Sequence, residues 1–114
     1  MKFLVKLVIG SLAVIFASFL LPGVHIDDAY TAVLVAFVIS LLNAFIKPVL
    51  VILTIPVTIF TFGIFLLVIN ALVILIAAKI VPGFSVSGFW SALFFSILLS
   101  VITSIMEAVT REER

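Results

Sequence analysis

Four apolar runs, Phe3–Leu21, Tyr30–Ile46, Phe62–Ala78 and Phe89–Met106, limit what this chain can fold into. Each holds 17 to 19 residues, the low end of what crosses a hydrocarbon core about 30 Å thick. A soluble domain of 114 residues has no interior large enough to hide them, because small domains leave much of their surface in water. Composition agrees, with 67% hydrophobic and 10% charged residues against about 45–50% and roughly 25% in soluble domains. In lipid the backbone must satisfy its own hydrogen bonds, so each run is read as a helix. None shows the apolar/polar alternation of a membrane barrel strand. The sequence therefore predicts an all-α membrane protein with four transmembrane helices in a single domain, 1–114.

The absence of cysteine excludes disulfides and thiol chemistry. A net charge of +1 lacks the clustered basic face that a nucleic acid would need. The opening stretch MKFLVKLVIGSLAVIFASFLLPG has the outline of a secretory signal. It is read instead as a retained helix, because it has a structural twin later in the chain.

That twin comes from a repeat at an offset of 60 residues. LPGVHIDDAYTA (21–32) lies over VPGFSVSGFWSA (81–92), matching Pro22-Gly23 with Pro82-Gly83 and Tyr30 with Trp90. Each half reads as helix, Pro-Gly break, short loop, interfacial aromatic, helix. The second helix carries Ala32, Ala36, Ser40 and Ala44, and the fourth carries Ala92, Ser96, Ser100 and Ser104. Spacing of four gathers each set on one face, where small residues let helix backbones approach closely in lipid. The partner of either face is left open between another helix of the chain and a second subunit. Two spans per half bring both halves into the membrane from the same side, as parallel repeats. The divisions are repeat one 1–48, connector 49–61, repeat two 62–108 and a tail 109–114.

Lysine and arginine set the orientation. Lys2, Lys6, Lys47, Arg111 and Arg114 fall on one side and Lys79 on the other, with Asp27 and Asp28. The positive-inside rule then places both termini and the connector in the cytoplasm. The connector, KPVLVILTIPVTIFTFG from Lys47 to Gly63, is too apolar for a loop and too short to span alone. Either helix 2 continues to a turn at Pro56, or it stops near Lys47 and Val49–Thr61 forms a proline-broken re-entrant or interfacial segment. The repeat favours the second geometry, because Lys47 aligns with Glu107, where the fourth helix ends. Pro48 suits the first turn of a new helical piece and Pro56 a break. Thr54, Thr58 and Thr61 are placed to bond the backbone groups freed there.

The run LLNAFIKPVLVILTIPVTIFTFGIFLLVINALVILI (41–76), followed by VPGFSVSGFWSAL, resembles the four-span family of small bacterial membrane proteins called phage holin superfamily IV. The resemblance lies in Asn43-x3-Lys47-Pro48, Leu53-Thr54-Ile55-Pro56, Phe62-Gly63, Ile69-Asn70-Ala71 and Pro82-Gly83-Phe84, and it covers nearly the whole chain. It implies the four-helix architecture and a bacterial inner-membrane location. The holin label implies a protein that accumulates in that membrane and forms lesions releasing a lysin, although many members look like ordinary chromosomal proteins.

The candidate functional residues are Asn43, Lys47, Pro48, Pro56, Asn70 and Glu107. Asn43 and Asn70 are the most polar uncharged residues of the spans and flank the connector. They serve either as a polar site or as hydrogen-bonding links between helices. Lys47 and Glu107 are repeat-equivalent and opposite in charge, which suits either an ion pair between the halves or independent snorkelling. His25, Asp27 and Asp28 cluster in the first outer loop, where an aspartate cap on helix 2 is preferred to a metal. No nucleophile–base set, phosphate loop or mid-span carboxylate appears, so no enzymatic role and no cofactor is expected. The leading expectation is a holin-like, homo-oligomeric protein of the bilayer that permeabilises by lateral assembly. The alternatives are a non-lytic scaffold or accessory subunit in envelope maintenance and a small-solute channel or transporter.

Overall fold

The computed structural model describes residues 2–112. Four long helices, α1 (Lys2–Leu20), α2 (Ala29–Leu53), α4 (Phe65–Ile80) and α5 (Phe89–Glu112), form a bundle, with a short α3 (Ile55–Phe60) between α2 and α4. Two three-residue strands, β1 (Val24–Ile26) and β2 (Phe84–Val86), join α1 to α2 and α4 to α5. Helices α1, α2 and α5 contain apolar stretches long enough to span, while α4 is a shorter apolar helix. At 1.5 Å per residue its 16 residues rise about 24 Å.

The helices form a closed circuit, with α1 and α4 each packed against both α2 and α5. Small residues make this close. Ala13, Ala17, Ala32, Ala71, Ala77 and Ala92 are fully or almost fully buried, and Val14, Val35, Ile69 and Phe95 fill the space between backbones. Gly10 serves the same end, since a Cβ there would meet the Ala36 Cβ at 3.3 Å.

The Pro-Gly loops, expected as plain loops, pair as an antiparallel ribbon. Val24 lies opposite Val86, His25 opposite Ser85 and Ile26 opposite Phe84. Two more backbone bonds extend it, from Asp27 N–H to the Gly83 carbonyl (3.0 Å) and from Ser87 N–H to the Gly23 carbonyl (2.8 Å). The ribbon arises because each Pro-Gly ends a helix and leaves backbone groups at the bilayer edge that need partners. Strand alternation turns Val24 and Phe84 inward and His25 and Ser85 outward. Gly83 is required as glycine, with φ of +90° and the Asp27 carboxylate 2.8 Å from where a Cβ would stand.

Asp28 caps α2, as one of the two aspartates is expected to. Its carboxylate accepts from the Thr31 backbone N–H and from the Thr31 hydroxyl, both at 2.9 Å. These bonds hold the Asp28 carboxyl below its ordinary value of 3.8, the backbone bond being the larger cause. His25 Nε2 lies 2.8 Å from Asp27 Oδ1 on the exposed surface.

Helix α2 does not stop near Lys47. It continues through Pro48 and ends at Leu53. Pro48 removes one N–H from the ladder, but ending the helix there would strand four carbonyls in apolar surroundings. Continuing is the smaller penalty. The break comes at Thr54, where threonine hydroxyls add second hydrogen bonds to carbonyls that already accept from the backbone. Thr54 Oγ1 donates to the Leu50 carbonyl at 2.7 Å. Thr61 Oγ1 donates to the Val57 carbonyl at 3.0 Å and accepts from Phe65 N–H at 3.1 Å. Thr58 differs from expectation, since its hydroxyl has no partner among the described residues. Phe62 (φ 56°) and Gly63 (φ 88°) are both left-handed and reverse the chain into α4. The irregular segment is therefore 54–64, shorter than the expected 49–61 and displaced toward α4.

Candidate functional site

The two small-residue faces divide at mid-bundle. Ala32, Ala36, Ala92 and Ser96 are buried, at 0 to 6% exposure, in the half nearer the ribbon. Ser40, Ala44, Ser100 and Ser104, nearer the connector, are exposed. The same sequence feature thus packs the bundle at one end and is left open at the other.

At the open end α1, α2 and α5 enclose a cleft of about 350 Å³. Helix α1 supplies Lys6, Gly10 and Val14, which share a face through spacing of four. Helix α2 supplies Ala36, Ile39, Ser40 and Asn43, and α5 supplies Leu99, Ser100, Thr103, Ser104 and Glu107. Ser40 Oγ donates to the Ala36 carbonyl at 2.9 Å, and Ser96 just beyond the cleft donates to the Leu93 carbonyl at 2.8 Å. Asn43, Ser100, Thr103 and Ser104 have no side-chain hydrogen bond among the described residues. Lys6 and Glu107 put opposite charges on one cleft without forming an ion pair with each other.

The structure thus gathers Ala36, Ser40, Asn43, Ser100, Ser104 and Glu107, all singled out in the sequence, at one place. It does not bring Lys47 and Glu107 into an ion pair. Lys47 and Pro48 lie farther along α2, Pro56 lies in α3, and Asn70 is half-buried on α4. None of these four lines the cleft. Neither asparagine bridges helices among the described residues. Lys6, Gly10 and Thr103 were not singled out. A signal for them exists: Lys6 and Gly10 are four apart, and sixty residues on they become Leu66 and Asn70. The charge and the glycine are therefore peculiar to α1.

The core at the ribbon end is closed, although a groove of about 510 Å³ lies beside it between α4 and β2. Its buried polar groups, Ser11, Thr31 and Ser96, each bond to nearby backbone or to a helix cap. No polar line runs from the cleft past Val35 and Phe95, which are 0% exposed. The monomer has a vestibule at one end and a dry core beyond it.

These features define a multi-pass helical membrane protein with a polar cleft at one end. A family model described as mycobacterial 4 TMS phage holin, superfamily IV, matches residues 1–105, and the chain belongs to that family. It is 37% identical over 101 residues to an uncharacterised membrane protein of Bacillus subtilis, YvlD, covering 88% of this chain and 85% of the relative. It is 34% identical to an uncharacterised protein of Streptomyces coelicolor, covering 94% of each. No solved structure matches.

Proposed function

We propose that this holin-like protein sits in the bacterial cytoplasmic membrane with both termini inside and acts by lateral assembly of several copies. The observation that carries this reading is the exposed half of the small-residue faces. Ser40, Ala44, Ser100 and Ser104 have the chemistry that lets helices approach in lipid, yet the bundle leaves them uncovered. Because the monomer core is dry, permeation under this reading requires an assembly rather than a pore through one chain. The same dryness speaks against a small-solute channel or transporter within a single copy, and no enzymatic role is proposed.

The two-repeat architecture is part of the proposal. The ribbon register supports it, since exchanging every residue for the one sixty positions away turns His25–Ser85 into itself and swaps Val24–Val86 with Ile26–Phe84. The flanking bonds Asp27–Gly83 and Ser87–Gly23 exchange in the same way. The segment 54–64 is proposed to rest in the inner leaflet, supported by the exposure of Ile59, Phe60 and Phe62 at 71, 89 and 95%. The excess of lysines at the connector end supports the orientation.

The test is expression in a bacterial host with membrane potential as the readout. Assembly into lesions predicts loss of potential at high expression, abolished by Ser40→Phe or Ser100→Phe. Intact potential and full viability at the same level of folded protein overturn it. The second reading, a non-lytic envelope scaffold, then predicts a defined partner that co-purifies.

A further inference from the structure

The polar groups of the connector-end cleft stand in a sequence of depths. Lys6 and Glu107 mark its mouth, and Val14 and Leu99 lie eight residues farther along their helices, about 12 Å deeper at 1.5 Å per residue. Between them come Asn43, Ser100, Thr103 and Ser104. From mouth to floor the order is charges, hydrogen-bonding groups, then apolar Val14, Ile39 and Leu99, with the Ser40 and Ser100 hydroxyls reaching the level of the floor. In hydrocarbon such groups require partners, and the described residues provide none for the asparagine or for the three hydroxyls of α5.

We propose that this cleft binds a zwitterionic phospholipid whose headgroup ends in a primary ammonium, of the phosphatidylethanolamine type. The lipid reproduces the sequence of depths. Its ammonium meets the Glu107 carboxylate, and its phosphate meets the Lys6 ammonium. The asparagine amide and the serine and threonine hydroxyls donate to phosphate and glycerol-ester oxygens. The first part of an acyl chain lies over Val14, Ile39 and Leu99. Gly10 lines the cleft beside Ala36, where an added Cβ would meet the Ala36 Cβ at 3.3 Å.

Charge selects among lipids. An anionic headgroup without an ammonium leaves Glu107 facing negative charge. A choline headgroup brings positive charge but no N–H to donate. A twofold contact would set the same patch against itself, and two concave mouths cannot fill one another, so assembly through these faces is heterologous and competes with the lipid for Ser40, Ser100 and Ser104. The inference draws on the same open end as the assembly reading but does not require assembly, since a single copy can hold the lipid.

The experiment is native mass spectrometry of the purified full chain from equimolar phosphatidylethanolamine, phosphatidylglycerol and phosphatidylcholine, at an energy that strips annular lipid. The expected result is about tenfold enrichment of phosphatidylethanolamine on the monomer, the size of one good charge-assisted hydrogen bond. Glu107→Gln should cut the enrichment below about twofold, Lys6→Gln should weaken retention of both phosphatidylethanolamine and phosphatidylglycerol, and Lys79→Gln at the ribbon end should change nothing. Equal retention of the three lipids, or enrichment unaffected by Glu107→Gln in a folded protein, overturns the proposal. So does displacement of the lipid by soluble phosphoethanolamine at equal concentration, which would assign the cleft to a soluble ligand. A change in subunit number with no change in lipid retention would assign it to a second copy.

Discussion

Replacing Phe95 by alanine tests the closed end of the bundle. Phe95 is fully buried, and its ring lies 5.8 Å from that of Phe84 across the junction of α5 and the ribbon. In soluble proteins Phe→Ala in a core destabilises by about 3–5 kcal/mol, combining a transfer term and a cavity term. In a bilayer the transfer term largely vanishes, because lipid tails are as apolar as the side chain removed. The cavity term persists, since lipid cannot enter the gap. For an unrelaxed cavity of roughly 80 Å³ at about 24 cal/mol per Å³, the loss is about 2 kcal/mol. The neighbouring Phe94 is 54% exposed, so Phe94→Ala leaves no cavity and should stay within about 0.5 kcal/mol. Equilibrium unfolding in mixed detergent micelles, or steric trapping in bilayers, measures both. Equal losses for the two variants, or a larger one at Phe94, would refute the assignment of inward and outward faces on α5.

Three further outcomes follow from the same geometry. Gly83→Ala should destabilise by about 1–2 kcal/mol through its left-handed backbone and should displace Asp27 from His25. Gly63→Ala should show the backbone penalty alone and Gly88→Ala almost none, since nothing lies within 4 Å of either added Cβ. The Asp28 carboxyl is held below its ordinary value by the Thr31 bonds, so its contribution to stability is complete above pH about 4. That contribution is lost as pH falls through the lowered native value, and an acid titration of folded protein should lose this component in Asp28→Asn. Finally, a chain cut between Phe62 and Gly63 should reassemble when its halves are co-expressed, because the ribbon, α1 with α5 and α2 with α4 all join the halves. Co-purification of a tag on one half with the other measures it.

The sequence made the long helices legible because a bilayer leaves the backbone few choices: Phe3–Leu21 and Phe89–Met106 lie almost wholly within α1 and α5. The small-residue faces of α2 and α5 were legible as faces, but a spacing of four says nothing about where a neighbour ends. Their division into a buried and an open half had to come from the packing. The ribbon escaped notice because three residues such as Val24–Ile26 are too few for a periodicity. The end of α2 is not legible at Lys47 and Pro48, because one proline costs the ladder less than stranding the carbonyls of a whole turn, and the helix runs on to Leu53. In the sequence Lys6 marks only orientation, and its place in the cleft follows from how α1 lies against α5.

The ribbon has a mechanical meaning. Main-chain hydrogen bonds clasp the two halves at one extremity of the bundle, whereas at the other the small faces of α2 and α5 stand uncovered. Parting the clasp would expose several backbone groups at once, a penalty of roughly 1–3 kcal/mol for each; at the connector end α2 and α4 are tied by the chain itself through α3, and α1 and α5 meet there through side chains alone. The two halves are therefore held at both ends, by the ribbon at one and by segment 54–64 between α2 and α4 at the other, and the α1–α5 seam near the cleft is the least tethered. Any widening of that seam is felt most at Lys6 and Glu107, which face one cleft from α1 and α5.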